Sequence, residues 1–182
     1  MTKTALRPKV EELVERLRAA RQAGAPGDAE WLRLHRELAE DCPAFTPNLL
    51  ELARQLQLAD EPGRHAQEAF AEVRRLLEQA VVASERSAPV VVELGYFLDT
   101  IHNDTEQAAK LYEEGAAKAL ETLEDAWAGL LRAWLHERTR ESLGKALRVS
   151  ELAEQLFPES GRIQGVVHQT RQVAIHDGLL KP

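Results

Sequence analysis

A short apolar pattern returns along this chain at spacings of 36 to 42 residues, and no other feature constrains the fold as strongly. It reads large residue, two gap residues, large, small or aliphatic, two gap residues, large. It occurs as Val10-Leu13-Val14-Leu17, Leu49-Leu52-Ala53-Leu56, Val91-Leu94-Gly95-Leu98 and Trp127-Leu130-Leu131-Trp134, with a weaker copy at Ile163-Val166-Val167-Thr170. The leading residues step by 39, 42, 36 and 36. Such spacing puts four side chains on one helix face. A period in this range marks a stacked-repeat architecture, where each unit buries its apolar face only against its neighbours.

Turn and cap residues divide the chain into about nine helices. Pro8 suits a first helical turn, and Gly24-Ala25-Pro26-Gly27 ends that helix. Asp28 and Thr46-Pro47 read as the next two starts, and Asp60-Glu61-Pro62-Gly63 as a turn before a long helix to about Ser84. Ser87-Ala88-Pro89 opens a fifth helix, and Asn103 with Glu106 resembles a capping box for a sixth ending near Glu121. Thr122 and Asp125 read as the entry to a seventh, Thr139 to an eighth and Ser160 to a ninth. The pattern predicts one all-α domain over 1–182, made of antiparallel helix pairs near 8–41, 46–84, 88–121 and 125–157 plus a terminal helix at 160–177.

Composition narrows the function. The net charge of −7 opposes nonspecific nucleic-acid binding, which depends on neutralising phosphates with Lys and Arg. No run approaches the roughly 20 apolar residues of a spanning helix, so no membrane insertion is expected. No apolar segment follows the first seven residues, so no secretory signal is expected either. Cys42 is the only cysteine, which excludes an intrachain disulfide and makes the cytoplasm the default location. Arginine outnumbers lysine 17 to 6, as in a GC-rich bacterial coding sequence.

The segment from Glu124 to Phe157, with Trp127, Leu130, Trp134, Ala146, Ala153 and a closing Pro158, resembles the tetratricopeptide repeat family. Leu94-Gly95 with Ala108, Tyr112 and Gly115 is the second-best match. The first pair departs from the pattern: Arg33 and Arg36 stand where the family has an aromatic and a small residue. Other two-helix repeats stay open on these residues. The resemblance implies a right-handed superhelix whose odd-numbered helices line a concave groove, closed by a polar-faced terminal helix.

That groove is where a partner is expected. Helix phase assigns to it Arg54 and Gln57, Tyr96 and Asp99, Arg132 and His136, and His168 and Arg171. Ala128 falls on the same face by this phase. Arg132, His136 and Arg171 suit a carboxylate or acidic segment, because guanidinium bonds carboxylate in a bidentate, charge-assisted way. The family's carboxylate-clamp pattern of Lys and Asn is absent from these positions. Trp127 and Trp134 belong to the repeat core; Trp31, in a degenerate repeat, stays open between core and contact surface.

Signatures of catalysis are missing: no nucleophile elbow, P-loop or dinucleotide glycine motif occurs. The six histidines form no zinc-ligand spacing. No cofactor, metal or enzymatic activity is therefore expected. The expectation is an adaptor or scaffold that binds a peptide or protein segment in the groove. The alternative is a dedicated regulatory, chaperone or toxin-neutralising protein that uses another surface. Homodimerisation is compatible with either, the first helix pair being the favoured end.

Overall fold

A computed structural model describes residues 9–181. Among them are eight α-helices: α1 Val10–Gln22, α2 Ala29–Asp41, α3 Thr46–Leu56, α4 Ala66–Ala83, α5 Ala88–Thr100, α6 Thr105–Glu137, α7 Arg140–Leu156 and α8 Gly161–His176. No strand interrupts them among the described residues. Pro8, expected in the first turn of the first helix, lies outside the described residues.

The chain divides into two compact units, one ending at Ala116 and the other running from Ala117. The first contains α1 to α5 and the start of α6. Its main core joins Leu49, Leu52, Ala53 and Leu56 of α3 to Val73, Leu76, Leu77 and Ala80 of α4 and Val91, Leu94, Phe97 and Leu98 of α5. A smaller cluster of Leu13, Leu17 and Leu38 holds α1 against α2. The second unit packs Ala128 and Leu131 of α6, Ala146 and Ala153 of α7, and Ile163, Val166 and Val167 of α8. Trp127, Trp134 and Phe157 lie half-buried at its edge, with Trp127 and Phe157 meeting edge-on at 6.0 Å.

The apolar pattern predicts burial fully in α3, α5 and α8, where all four positions are buried. In α1 the leading Val10 is 70% exposed, and in α6 Leu130 is 42% exposed. There Ala128, not Leu130, turns inward, so its expected place on the groove face is not observed. Small residues do set close helix approaches. The Tyr112 ring of α6 lies on the Gly95 backbone of α5, and a methyl group at Gly95 would sit 3.1 Å from it. A methyl group at Gly115 would fall 2.5 Å from a Val92 methyl.

One expected break is not there. Thr122 and Asp125 lie inside α6, which runs unbroken for 33 residues. The segment from Ala116 to Ala128 holds no Gly or Pro and is rich in Ala, Leu and Glu, so helix propensity carries the chain through. Thr122 bonds back to the Lys118 carbonyl at 2.9 Å instead of capping a new start. At the start of α6, Asn103 is left-handed with φ 52°, and Asp104 takes the capping role by accepting from the Gln107 amide at 3.2 Å. Thr139 and Ser160 cap α7 and α8 as their positions predict, accepting from Ser142 and Ile163 amides.

Candidate interaction surface

In the first unit the odd helices are stitched side by side by arginine–glutamate pairs. Arg21 of α1 reaches Glu51 of α3 at 2.8 and 2.9 Å. Arg54 of α3 reaches Glu93 of α5 in a bidentate pair at 2.9 and 2.6 Å. The pairs are partly solvated, so each contributes modestly to stability. Their larger effect is on chemistry: Arg54, one of the expected groove residues, is already neutralised by Glu93. Gln57 is half-buried and bonds back to the Ala53 carbonyl at 3.2 Å.

Beyond these pairs α5 presents an amphipathic strip. Val92 and Tyr96, one turn apart, are 40% and 55% exposed. Asp99 follows, half-buried. Tyr112 of α6 lies near enough that Asp99 and Tyr96 act on its phenol, which is raised above its ordinary pKa by desolvation first, then by the Asp99 charge and by Tyr96. Tyr96, Asp99 and Tyr112 thus form one cluster against the α5 backbone. The structure brings Tyr96 and Asp99 together, as the helix phase predicts, and adds Tyr112, which the sequence marks only as packing.

The other four expected residues belong to the second unit. Arg171 of α8 is exposed but committed to Glu154 of α7 at 2.8 and 2.5 Å. His168 bonds Gln172 one turn along at 2.9 Å. Arg132 and His136 of α6 are exposed, and neither has a hydrogen-bond or ion-pair partner among the described residues.

Two polar features, one half-buried and one buried, escape a reading by periodicity. The first is a closed ring of alternating charges. Arg36 bonds Glu61 at 2.8 and 2.7 Å and Glu72 at 3.0 Å through two nitrogens. Arg64 completes the ring with contacts of 2.7 Å to Glu61 and 2.6 Å to Glu72. This explains why α2 tolerates an arginine where a repeat has a small residue: the ring ties α2 to the α3–α4 turn and α4. Hydrogen bonds from Arg36 above all hold the Glu61 carboxyl down to about 2.

The second is His35, fully buried and stacked on Trp31 at 3.6 Å. Trp31 is itself 1% exposed, so it is core and not contact surface. Asn48 donates from Nδ2 to the His35 carbonyl at 2.9 Å, which leaves its Oδ1 as acceptor for His35 Nδ1 at 2.7 Å. Nδ1 therefore carries the proton, and Nε2 is bare and buried without a partner. Only the neutral ring fits. Burial pushes the His35 pKa down, against the opposing pull of Asn48.

Among the described residues, no group of three or more His, Cys, Asp or Glu is placed to hold a metal ion. No helix among them is long and apolar enough to cross a membrane.

Consecutive antiparallel helix pairs with glycine-mediated approaches, and an exposed face on the odd helices, define a helical-repeat protein of the tetratricopeptide class. Comparison with known proteins agrees. The model of the Myxococcota tetratricopeptide repeat protein family matches residues 5–85. A Myxococcus xanthus relative, described as an uncharacterized 18.1 kDa protein in the carS 3' region, is 34% identical over 137 residues. That alignment covers 75% of this chain and 78% of the relative. The chain belongs to the Myxococcota tetratricopeptide repeat family. No solved structure matches it.

Proposed function

We propose that the chain is a protein-interaction module, an adaptor or scaffold, whose α3–α5 face forms a groove for an extended segment of a partner protein. The observation that carries this reading is the pair Val92 and Tyr96. Both side chains are substantially exposed on a face where Arg54 and Glu93 already satisfy each other. An exposed tyrosine beside an aliphatic residue is a typical contact anchor, since it gains from desolvation while keeping a polar handle. Asp99 beside it favours a basic group in the partner segment. In the second unit, Arg132 and His136 offer a site for an acidic segment, with Arg171 available only in competition with Glu154.

A binding role suits the repeat architecture better than a catalytic one. The strongest charge cluster, around Arg36 and Glu72, is internally balanced and does not point a lone acid or base at solvent. Cytoplasmic residence is compatible with the single free thiol of Cys42.

A second surface supports the alternative of a dedicated partner protein. A hollow of about 820 Å³ lies between the α2–α3 turn and the end of α4, lined by Cys42, Pro43, Ala44, Gln79, Val82 and Ala83. Val82 on its wall is 78% exposed.

The two surfaces are separated by affinity capture from the source organism's lysate, with wild type beside Tyr96→Ala and Val82→Glu. Loss of a partner with Tyr96→Ala alone supports the α3–α5 face. Loss with Val82→Glu alone moves the site to the hollow and overturns the groove reading. Circular dichroism must show both variants folded.

A further inference from the structure

We propose that Tyr96, Asp99 and Tyr112 form a receptor for one cationic side chain, an arginine carried by the partner segment. This rests on the α3–α5 face being the docking surface, and it names the chemistry that surface reads. Among the described residues, eight Asp or Glu residues are half-buried. Seven are glutamates, and each is ion-paired to an arginine of this chain. Asp99 is the eighth, and it has neither a hydrogen-bond nor an ion-pair partner among the described residues. His102, three residues on, packs edge-on against Phe97 at 5.0 Å and is not paired with it.

The place of Asp99 in its helix sharpens the deficit. It lies in the last turn of α5, at the negative end of the helix dipole, and that turn holds no basic residue. A partly desolvated carboxylate there is unfavourable until a cation meets it. Desolvation first, and then this same charge, raises the Tyr112 phenol above its ordinary pKa, which places the carboxylate beside that ring.

The surroundings select the cation. Val92, Tyr96 and Asp99 follow one another at spacings of four and three, so they form one stripe on α5. Tyr112 flanks the stripe from α6, held close to α5 because Gly95 has no side chain to push it away. A long cationic side chain lays its methylene stem along Val92. A guanidinium then stacks on a tyrosine face while its N–H edge bonds the Asp99 carboxylate in bidentate fashion. A lysine ammonium has no flat face to stack, so arginine is preferred. The partner's arginine thereby repeats a pairing the same face already contains, Arg54 with Glu93 at 2.9 and 2.6 Å.

The test is a two-dimensional NMR titration of the full chain with N-acetyl-arginine amide, beside the neutral isostere N-acetyl-citrulline amide. Wild type is expected to bind the arginine amide in the millimolar range, with shifts centred on Tyr96, Asp99 and Tyr112, and to ignore the citrulline amide. Asp99→Asn should weaken arginine binding by about fivefold or more. Its melting temperature should equal or exceed that of wild type, because the charge removed had no partner; a purely structural carboxylate would give a lower one. Tyr96→Leu, at an exposed site, removes the π face and should also weaken binding, which keeps the proposal testable if Asp99→Asn fails to fold. Equal shifts with the two amides, or unchanged arginine binding by Asp99→Asn, overturns the proposal. Partner capture separates this result from the docking reading. A partner lost by Tyr96→Ala but held with unchanged affinity by Asp99→Asn overturns the arginine receptor alone, whereas a partner held by both variants overturns the docking face itself.

Discussion

His35 makes the first unit sensitive to mild acid. In the folded chain the neutral ring donates from Nδ1 to Asn48, and Nε2 faces a dry interior without an acceptor. A proton on Nε2 would place an unpaired charge there, so burial lowers the pKa. The nearest charges do not offset this. Glu51 favours the protonated ring and Arg21 opposes it, and the two are paired to each other. The unfolded chain takes up this proton near the ordinary imidazole pKa of about 6.5. Below that pH the unfolded state binds more protons than the folded one, so stability falls as pH falls, by up to about 1.4 kcal/mol per unit. The loss is at most about 0.8 kcal/mol at pH 6 and at most about 2 kcal/mol at pH 5, ceasing to grow once the folded pKa is reached. It is fully absent above pH 7.5. The assay is urea unfolding followed by Trp31 fluorescence in a Trp127→Phe, Trp134→Phe background, at several pH values from 7.5 to 5. His35→Gln keeps a donor towards Asn48 without a titrating group. Wild type should lose more stability than this variant between pH 7.5 and 5, by at most about 2 kcal/mol. Parallel pH profiles for the two proteins would refute the reasoning.

The Arg36–Glu61–Arg64–Glu72 ring predicts a second, more acidic window. Glu61 is held down to about 2, so its contribution is present above the ordinary carboxyl range and is lost as pH falls from about 4.5 towards 2. Glu61→Gln should remove that component, on the order of 1–2 kcal/mol after allowance for partial solvation, as read by acid titration of circular dichroism. Glu72→Leu, by contrast, leaves Arg36 and Arg64 to share Glu61 alone and should cost about 1–2 kcal/mol at neutral pH in urea unfolding. Gly115→Ala sets a helix-propensity gain of about 1 kcal/mol against a methyl clash with Val92. Overpacking of about 1–3 kcal/mol should win, lowering the melting temperature. Thr139→Ala removes the side-chain acceptor of the Ser142 amide and should destabilise the second unit by about 1 kcal/mol in thermal melts.

Local periodicity made much of this fold readable. In α3, α5 and α8 every patterned position is buried, because neighbouring helices cover that whole face. The caps at Thr139 and Ser160 were equally legible, since they depend on residues within one turn. The failures have two causes, local helix propensity and contacts distant in sequence. Thr122 and Asp125 look like a helix start, but with no Gly or Pro nearby nothing forces the chain to break. Arg36 looks like a misfit until Glu61 and Glu72, 25 and 36 residues away, are brought beside it. Of the expected groove residues, Tyr96 and Asp99 come together on α5, whereas Arg54 and Arg171 are consumed by Glu93 and Glu154. Helix phase gives the face a side chain occupies, not the partner it finds across an interhelical gap.

The central claim is that α3 and α5 form the docking face. Hydrogen–deuterium exchange of the full chain, with and without its captured partner, tests it most directly. The account predicts slowed exchange confined to α3, α5 and the start of α6 around Tyr112, and no such slowing in Tyr96→Ala. Protection restricted to the α2–α3 turn and the end of α4, with α5 unchanged, would contradict it.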